Sequence, residues 1–411
     1  MIKQSEILYV GTLDQLYTSD GPAWIISAVA CGPATLASVC IAGASYGFTL
    51  FWVVILSAVF GATAQYLAAR IGIIEGRGII GTTEQRLGTV WAWFLAIDAI
   101  LATYLAALVL MNALVGITSL VTGIETPWWG IPYALTIVLA LVCGGYRWFE
   151  TICKVLVVFV VCCFIVTAMQ ADISFVNVAR GLTPSIPGGV DSALMIAAIL
   201  GGAVHITIIG MHTYNTNARK WTRKDLGLAR FDNTISMGFA FGIYSVAIFL
   251  VAAAVLHPHN IQVKLATDAA LSLGPLLGKN AMAIFLIGLW AATLSTISPT
   301  FLAGAYFIFD KMKWEANPEN RKFHIVLLGG ALLSVFGPFI KGSFFLLLPL
   351  ILALGLCGTP LMIAIILYLL NKGEVVGEYG NSVVLNVLGI MTFIVTSLVA
   401  IRFILLKVGL V

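Results

Sequence analysis

Long apolar stretches recur along the whole chain and alternate with short polar segments. Eleven of them approach the length that a helix needs to cross the hydrocarbon core of a bilayer, roughly 17–25 residues. Backbone that faces lipid must satisfy its hydrogen bonds within its own segment, so the pattern predicts an all-α polytopic membrane protein. The predicted transmembrane helices cover residues 23–42, 47–69, 88–118, 128–144, 153–170, 191–215, 234–256, 281–308, 323–340, 344–370 and 383–407.

The first and the sixth predicted helices contain interruptions at matching places. These are Cys31-Gly32-Pro33-Ala34-Thr35 and Gly201-Gly202-Ala203-Val204-His205. Five helices separate their starts, which is typical of a 5+5 inverted repeat of broken helices with the ligand between the two breaks. The alternative is that Gly and Pro are simply commoner in membrane helices than in soluble ones.

No polar or Pro/Gly-rich linker divides the chain, so we expect a single domain over residues 1–411. Within it we predict an N-terminal segment at 1–22, a first repeat at 23–170, a second repeat at 191–370 and an eleventh helix at 383–411. The polar stretches 171–190, 257–280 and 309–322 are expected to be loops. We expect no cleavable signal peptide ahead of the first helix.

Composition agrees with a membrane protein and basic residues predict its orientation. The chain is 60% hydrophobic and 10% charged, with a mean hydropathy of +1.03. Of 22 Lys and Arg residues, 16 fall on one side of the predicted helices and 6 on the other. The positive-inside rule then predicts a multi-pass protein of the cell membrane with a cytoplasmic N-terminus and an external C-terminus. The net charge of +4 reflects this bias, so we expect the lipid bilayer and no nucleic acid as partner; the oligomeric state stays open, a monomer included.

Seven cysteines lie almost entirely inside the predicted helices, and no two have a Cys-x-x-Cys spacing. They are expected to be small buried residues without disulfide or metal roles. No nucleophile–base pair, phosphate-binding loop or metal-ligand motif is present, so we expect neither an enzyme nor a resident cofactor or metal.

Several ordered segments resemble a known family. They are Pro33–Trp52 (PATLASVCIAGASYGFTLFW), Gln65–Gly72 (QYLAARIG), Tyr146–Glu150, Gly181–Pro187, Met211-His212-Thr213, Ser295–Gly304 and Gly377–Asn386. In this order they are similar to blocks of the NRAMP divalent-metal transporters. The resemblance implies an eleven-helix, LeuT-like inverted-repeat fold and secondary-active transport by alternating access.

The chain departs from the family pattern at the metal ligands. Gly32-Pro33-Ala34-Thr35 stands where the family has Asp-Pro-Gly-Asn, and His205-Ile206-Thr207 stands where it has Met-Pro-His. Tyr104 and Ala107 replace two carboxylates of the third helix, and His324 replaces an arginine of the ninth. The metal site of the family is therefore expected to be lost.

The residues at the breaks predict an anion site. Hard divalent cations need anionic oxygen ligands when they lose water, and neither break carries a carboxylate. The N-terminus of a half-helix instead carries positive potential, and its free amides bind anions. We therefore predict that a small inorganic anion, bicarbonate above all, binds between the breaks, with nitrate, nitrite, formate and chloride left open. The predicted substrate-binding residues are Gly32, Pro33, Ala34, Thr35, Gly202, His205 and Thr207. His205 has an alternative role in capping backbone groups that the break leaves free.

Accumulation of an anion against the membrane potential requires a coupling ion. Hydroxyls of the eighth helix and carbonyls of the first break predict an Na⁺ site, and an intramembrane carboxylate is a further candidate. The coupling-ion candidates are Ser27, Ala30, Ser295, Thr296, Ser298 and Asp98. His212 and Tyr104 are candidates for a proton route. Alternatively, the hydroxyls bond only their own helix backbone.

Two other functions remain open at this stage. One is a proton-coupled Mn²⁺ or Mg²⁺ transporter whose ligands have moved to carbonyls, to Thr35 and to water. The other is a non-transporting sensor that keeps the fold without a cargo site.

Overall fold

The computed structural model describes residues 21–142, 146–171, 173–315 and 320–409. Every secondary-structure element in these segments is a helix, which confirms the all-α class. The α-helices are α1 Pro22–Ala30, α2 Pro33–Tyr46, α3 Phe51–Glu75, α4 Ile79–Leu87, α5 Thr89–Thr122, α6 Gly130–Val142, α7 Tyr146–Gln170, α8 Phe175–Gly181, α9 Val190–Val204, α10 Ile206–Ala218, α11 Leu226–Asn233, α12 Phe241–Val251, α13 Ala266–Ala270, α14 Gly274–Leu277, α15 Ala281–Lys311, α16 Arg321–Ser334, α17 Phe344–Leu370, α18 Gly373–Val376 and α19 Val383–Val408.

The predicted count of eleven transmembrane helices is not confirmed. In the described segments, eight helical stretches are long and apolar enough to cross a membrane. The count is nine if α7 and α8, which are bent by 118° relative to each other, together form one further span. The first predicted helix runs on into the second through a 3₁₀ turn at Gly47–Leu50, so the two register as one stretch. The fourth, around α6, is shorter than the length that spans a bilayer.

The first predicted break is confirmed between α1 and α2. The amide of Cys31 bonds the Ser27 carbonyl at 2.7 Å and that of Gly32 bonds the Val29 carbonyl at 3.0 Å, which ends α1. Gly32 is extended, with φ −74° and ψ −179°, and Pro33 starts α2. Proline is favoured at this position because its missing N–H would have had no partner in the first turn.

The second break is confirmed but lies later than the sequence pattern indicates. Gly201 and Gly202 are helical, and only His205 leaves the helix, with φ −72° and ψ 136°. The two glycines serve close packing instead. A Cβ on Gly201 would overlap the Leu352 carbonyl of α17, and one on Gly202 would lie 2.6 Å from Thr35 Oγ1.

Three long helices surround the two breaks. α5 packs against both α15 and α17, and α9 lies between α3 and α17. Two π-helical segments that the sequence analysis did not predict, Thr234–Ala240 and Ala252–Leu256, flank α12. π-Helical turns free backbone carbonyls for other partners. Here Ser27 Oγ donates to the Ser236 carbonyl at 2.8 Å and so ties α1 to the first of these segments.

Some sequence predictions fall outside the described residues. These are residues 1–20 of the predicted N-terminal segment 1–22, and Cys143, one of the seven cysteines. Five cysteines whose surroundings are described are free thiols: Cys31, Cys40, Cys162, Cys163 and Cys357.

Candidate functional site

A cavity lies between the two breaks and gathers the whole predicted substrate set. Its volume is about 50 Å³, and residues of α5, α15 and α17 also line it. All seven predicted substrate-binding residues line it: Gly32, Pro33, Ala34, Thr35, Gly202, His205 and Thr207. We call it the central cavity.

Two threonine hydroxyls of the central cavity, both on α15, donate their protons to backbone carbonyls. Thr296 Oγ1 donates to the Ala292 carbonyl at 2.7 Å, and Thr300 Oγ1 donates to the Thr296 carbonyl at 2.8 Å. A hydroxyl has one proton and two lone pairs. Thr296 and Thr300 can therefore act only as acceptors towards a bound solute.

The Thr207 hydroxyl is also left with lone pairs only, because it donates its proton to a residue of α5. Thr103 Oγ1 lies 2.6 Å from the Ala99 carbonyl oxygen and 2.9 Å from Thr207 Oγ1. Because the Thr103 proton goes to the carbonyl, Thr207 donates its own proton to Thr103. The lone pairs of Thr207 are then left for the cavity.

His205 is held by two hydrogen bonds that fix its tautomer. Its Nδ1 accepts from the Thr207 amide at 3.2 Å, so this ring nitrogen carries no proton. Its Nε2, 3.3 Å from the Ile351 carbonyl oxygen, is then the protonated nitrogen and donates. His205 acts as the N-cap of α10, which is the alternative role that the sequence left open.

The amides of the second break are satisfied inside the protein. Those of Ile208 and Ile209 both bond the His205 carbonyl at 3.1 Å, and that of Thr207 bonds the imidazole. At the first break the Leu36 amide makes the first helical bond, to the Gly32 carbonyl at 3.2 Å, whereas the amides of Ala34 and Thr35 have no backbone acceptor among the described residues. The positive potential is therefore reduced at the start of α10 and kept at the start of α2.

Thr35 and the carbonyl end of α1 complete the lining. The Thr35 hydroxyl makes no hydrogen bond with any described residue, although the side chain is only 2% exposed. Val29 and Ala30, at the C-terminal end of α1, also line the cavity. A helix C-terminus carries partial negative charge, so this wall favours a cation.

No carboxylate lines the central cavity, and the described residues contain no cluster of three or more His, Cys, Asp or Glu side chains that could hold a metal ion. Asp98 on α5 lies elsewhere, against Gly358 of α17, where a Cβ would overlap the carboxylate. Asp98 makes no hydrogen bond or ion pair with the described residues. Asp98 therefore does not line the central cavity, and its role as a coupling-ion candidate stays a prediction.

The coupling-ion candidates do not form one cluster. Ala30 and Thr296 line the central cavity, whereas Ser27 and Ser295 line a separate cavity of about 460 Å³ beside α7 and α12. Ser298 lines a third, next to Trp290. The hydroxyls of Ser295 and Ser298 bond the carbonyls of Ala292 and Leu294, in agreement with the alternative that they satisfy their own helix.

The proton-route candidates are also apart from each other. His212 Nδ1 lies 3.1 Å from Gln65 Oε1, and Gln65 Nε2 donates to the Ala203 carbonyl at 3.4 Å. His212 is thus linked to the second break through Gln65. Tyr104 packs instead against Gly304 and Gly330, where an added Cβ would lie 3.0 and 2.6 Å from its ring.

Sequence reasoning missed Thr103, Thr300 and Gln65. Thr300 had a detectable signal, because it follows Thr296 by four residues and so shares its helix face. Thr103 and Gln65 had none, since their roles depend on contacts between helices that are distant in the chain.

Comparison with known proteins gives the family. The family model for natural resistance-associated macrophage protein-like proteins matches residues 23–406. The divalent metal cation transporter MntH of Yersinia pestis is 29% identical over 295 residues, which cover 69% of this chain and 70% of that protein. The divalent metal cation transporter MntH of Pectobacterium carotovorum is 30% identical over 295 residues, which again cover 69% of this chain and 70% of that protein.

Solved structures agree on the fold. The manganese transporter of Eremococcus coleocola superimposes with a TM-score of 0.76 at 15% identity, covering 93% of this chain and 85% of that one. Mhp1, a nucleobase-cation-symport-1 family transporter, gives 0.61 at 15% identity, covering 94% and 93%. These matches confirm the LeuT-like fold with broken first and sixth helices.

The predicted anionic cargo is wrong. The relatives are named as divalent metal cation transporters, and the matched structure is that of a manganese transporter. The physical reason lies at the second break, where the amides of Thr207, Ile208 and Ile209 are bonded within the protein and are not free to bind an anion. In addition, the hydroxyls of Thr207, Thr296 and Thr300 have no proton left for an anion.

The relatives are transporters, not enzymes, and the match covers almost the whole apolar part of the chain. The expectation of a non-enzymatic, multi-pass membrane protein is thereby confirmed. The chain belongs to the natural resistance-associated macrophage protein-like family of membrane transporters.

Proposed function

We propose that this protein is a secondary-active transporter of a hard divalent cation, Mg²⁺ or Mn²⁺, which binds in the central cavity with part of its water retained. The proposal rests on the direction of the hydrogen bonds that three hydroxyls of the cavity make. Thr207, Thr296 and Thr300 donate their protons within the protein and present oxygen lone pairs to the cavity. Oxygen acceptors are the ligands that hard cations prefer.

The size of the cavity supports a partly hydrated ion. Its volume of about 50 Å³ is several times the roughly 10–15 Å³ that one water molecule needs on the same measure, so an ion and retained water fit together. Mg²⁺ dehydrates reluctantly and usually keeps several waters. Retained water would also donate hydrogen bonds to the lone pairs of the threonines, so direct and water-mediated contacts both suit the lining.

Neutral ligands should make the site weak and selective for hard ions. Without a carboxylate the protein contributes only partial charges, from hydroxyls and from the carbonyl end of α1. No thioether or thiolate lines the cavity, so softer metals gain nothing over harder ones. We expect low affinity and a preference for Mg²⁺ and Mn²⁺ over Cd²⁺.

Coupling is proposed to use protons at Asp98. This residue is the acid most clearly inside a predicted transmembrane helix, and it has no hydrogen-bond partner among the described residues. An ionisable group in the membrane is costly, and such groups often mark ion or proton pathways. The predicted use of Na⁺ stays a prediction, because no observation tests it.

Uptake of Mg²⁺ and Mn²⁺ into sealed proteoliposomes tests the cargo. The variants Thr35→Val and Thr300→Val keep side-chain shape and remove one cavity oxygen each. Each should raise the KM for the cation about tenfold, as expected for the loss of one contact to a charged group. Thr392→Val is the matched control, since that buried threonine of α19 bonds only its own helix at Leu388.

Three outcomes would contradict the proposed cargo. These are uptake of bicarbonate without uptake of either cation, an equal effect of all three Thr→Val variants, and no transport of any solute. The last result would support the sensor instead.

The coupling proposal has its own test. Asp98→Asn should abolish the dependence of uptake on a proton gradient, while Asp191→Asn, an exposed acid at the start of α9, should keep it. Proton-driven uptake that survives in Asp98→Asn would remove this residue from the coupling mechanism.

A further inference from the structure

A fourth cavity lies away from the central cavity and has two arginines in its lining. It has a volume of about 510 Å³ and lies between α3, α11 and the start of α19. This volume is within the range of small-molecule sites in proteins. Two arginines line it, Arg70 and Arg230, and its lining, which lies entirely in the described segments, contains no Asp or Glu. We call it the basic cavity.

Arg70 is a buried charge whose partners are all neutral. Nη1 donates to Asn381 Oδ1 at 2.6 Å, and Nη2 donates to the carbonyls of Tyr379 at 2.5 Å and Gly380 at 3.1 Å. The side chain is only 6% exposed. Buried charges are normally paired with an opposite charge, because desolvation is otherwise uncompensated.

Arg70 also retains unused donors. A guanidinium has five N–H groups, and the three hydrogen bonds above leave two. Nε is buried and has no hydrogen-bond partner among the described residues. The Tyr66 ring, 5.8 Å from the guanidinium carbon, adds a cation–π contact but no negative charge. The charge of Arg70 therefore calls for an anion that the described residues do not supply.

Further groups around the basic cavity have the same character. Arg230 lies at its rim, is exposed, and forms no ion pair with a described residue. Of the hydroxyls in the lining, those of Thr63 and Thr234 donate to the carbonyls of Val59 and Arg230, whereas the Ser382 hydroxyl accepts from the Leu385 amide and keeps its proton for a ligand. Nearby, the Arg223 guanidinium lies 5.6 Å from the Tyr379 ring. Arg70, Arg223 and Arg230 are among the sixteen basic residues on the side of the membrane that the positive-inside rule predicts to be cytoplasmic.

An apolar edge adjoins these polar groups. Leu385 and Leu388 of α19 line the cavity together with Val384, which is 70% exposed. α19 is one of the apolar transmembrane helices, and little of it is buried inside the protein. The basic cavity thus opens beside a surface that faces acyl chains.

We infer that the basic cavity is a binding site for an anionic phospholipid, with its phosphate at Arg70 and Arg230 and its acyl chains along Val384, Leu385 and Leu388. Basic pockets between transmembrane helices can hold anionic headgroups in this way. Arginine suits the role because its planar fork matches phosphate oxygens. Free inorganic phosphate shares the headgroup chemistry but makes no use of the apolar edge.

Lipid titration of the purified full-length protein tests the inference. Thermal unfolding and native mass spectrometry would be followed with phosphatidylglycerol, with phosphatidylcholine and with inorganic phosphate. Phosphatidylglycerol should bind and raise Tm, phosphatidylcholine should do so less, and inorganic phosphate should have no effect. Arg230→Gln should weaken phosphatidylglycerol binding about tenfold, as expected for one lost charge-assisted contact, and Arg230→Lys should restore part of it.

The controls separate a lipid site from a structural role. Arg230→Gln leaves the bonds of Arg70 to the 379–381 segment intact, so it should fold, whereas Arg70→Gln removes those bonds and should destabilise the fold. Arg321→Gln changes an exposed arginine outside the cavity and should bind lipid like the wild type. Equal lipid binding by Arg230→Gln and the wild type would overturn the inference. Stabilisation by inorganic phosphate equal to that by phosphatidylglycerol would overturn the assignment to lipid.

Discussion

At the scale of single residues, the protonation of a few polar groups decides what the central cavity accepts. The sequence suggests His205 as a hydrogen-bond donor, and a site built from donors would suit an anion. In the structure the imidazole caps α10 and the Thr207 proton goes to Thr103. Thr207, Thr296 and Thr300 are left with oxygen lone pairs towards the cavity, which suit a cation.

The capping role of His205 leads to a first prediction. His205→Ala removes the acceptor for the Thr207 amide and should lower the free energy of unfolding by about 1–2 kcal/mol. His205→Asn keeps a side-chain acceptor and should recover most of this loss, with an unchanged KM for the cation. Thermal unfolding and liposome uptake of both variants measure the two effects. A large rise in KM for a folded His205→Asn protein would show that the imidazole contacts the cargo.

At the scale of secondary-structure elements, the two breaks are held in register by close helix packing. α17 runs past the second break, where its Gly355 faces the His205 ring so closely that a Cβ would overlap it. Thr359, one turn further along α17, donates to the Val204 carbonyl that the break exposes. α17 therefore supplies both the space and the hydrogen bond that an interrupted helix needs inside a membrane.

The second prediction concerns this contact. Gly355→Ala should destabilise the protein by about 1–3 kcal/mol, because the added methyl must displace the imidazole or shift α17. Gly329→Ala on α16 is the matched control: nothing lies within 4 Å of its Cβ position. That variant should be neutral or more stable by up to about 1 kcal/mol, since Ala is the better helix former. Equal Tm values for the two variants would refute the proposed packing role.

At the scale of the whole molecule, an ion-pair cluster ties the short helix α4 to the end of α15. Glu84 lies 2.5 Å from Lys311 Nζ and 2.9 Å from Lys313 Nζ, and the Lys311 side chain is only 4% exposed. Lys311 also lies 4.6 Å from the centre of the Trp93 ring. The hydrogen bond from Lys311, followed by that from Lys313, lowers the pKa of Glu84 below its ordinary value.

The third prediction follows from the sign of this shift. A carboxylate with a lowered pKa stabilises the folded state above its unfolded pKa of about 4.3 and loses this contribution as the pH falls through the folded value. At neutral pH, Glu84→Gln should lower Tm, because the buried Lys311 ammonium loses its partner. The difference from the wild type should shrink in acid.

Melting curves across pH check this, with Glu374→Gln as control. Glu374 and Lys372 form an exposed pair at 3.2 Å, and such pairs contribute about 0–1 kcal/mol. A Tm difference for Glu84→Gln that is the same at neutral and acid pH would contradict the linkage.

The orientation of the molecule is the fourth prediction. We propose a cytoplasmic N-terminus and the side with sixteen basic residues on the inside, following the positive-inside rule. With the native cysteines replaced by alanine, Lys279→Cys should react with an impermeant maleimide added to intact cells. Lys224→Cys should react only after the cells are opened; the reverse pattern would invert the topology. The boundaries of the two repeats, 23–170 and 191–370, likewise stay a prediction.

The sequence by itself determined the fold class, the two broken helices and the family, because these depend on the lengths of apolar segments, on Gly-Pro interruptions and on ordered local motifs. The seven residues that it predicts as substrate-binding, from Gly32 to Thr207, line one cavity, since broken helices in an inverted repeat meet there; that they bind the substrate stays a prediction. The position of the second break, the number of membrane-spanning stretches and the dispersal of Ser27, Ser298 and Asp98 were decided by tertiary packing. Tertiary packing also decided whether the site presents hydrogen-bond donors or acceptors. The Thr207 hydroxyl donates its proton to Thr103, which lies 104 residues away in the chain.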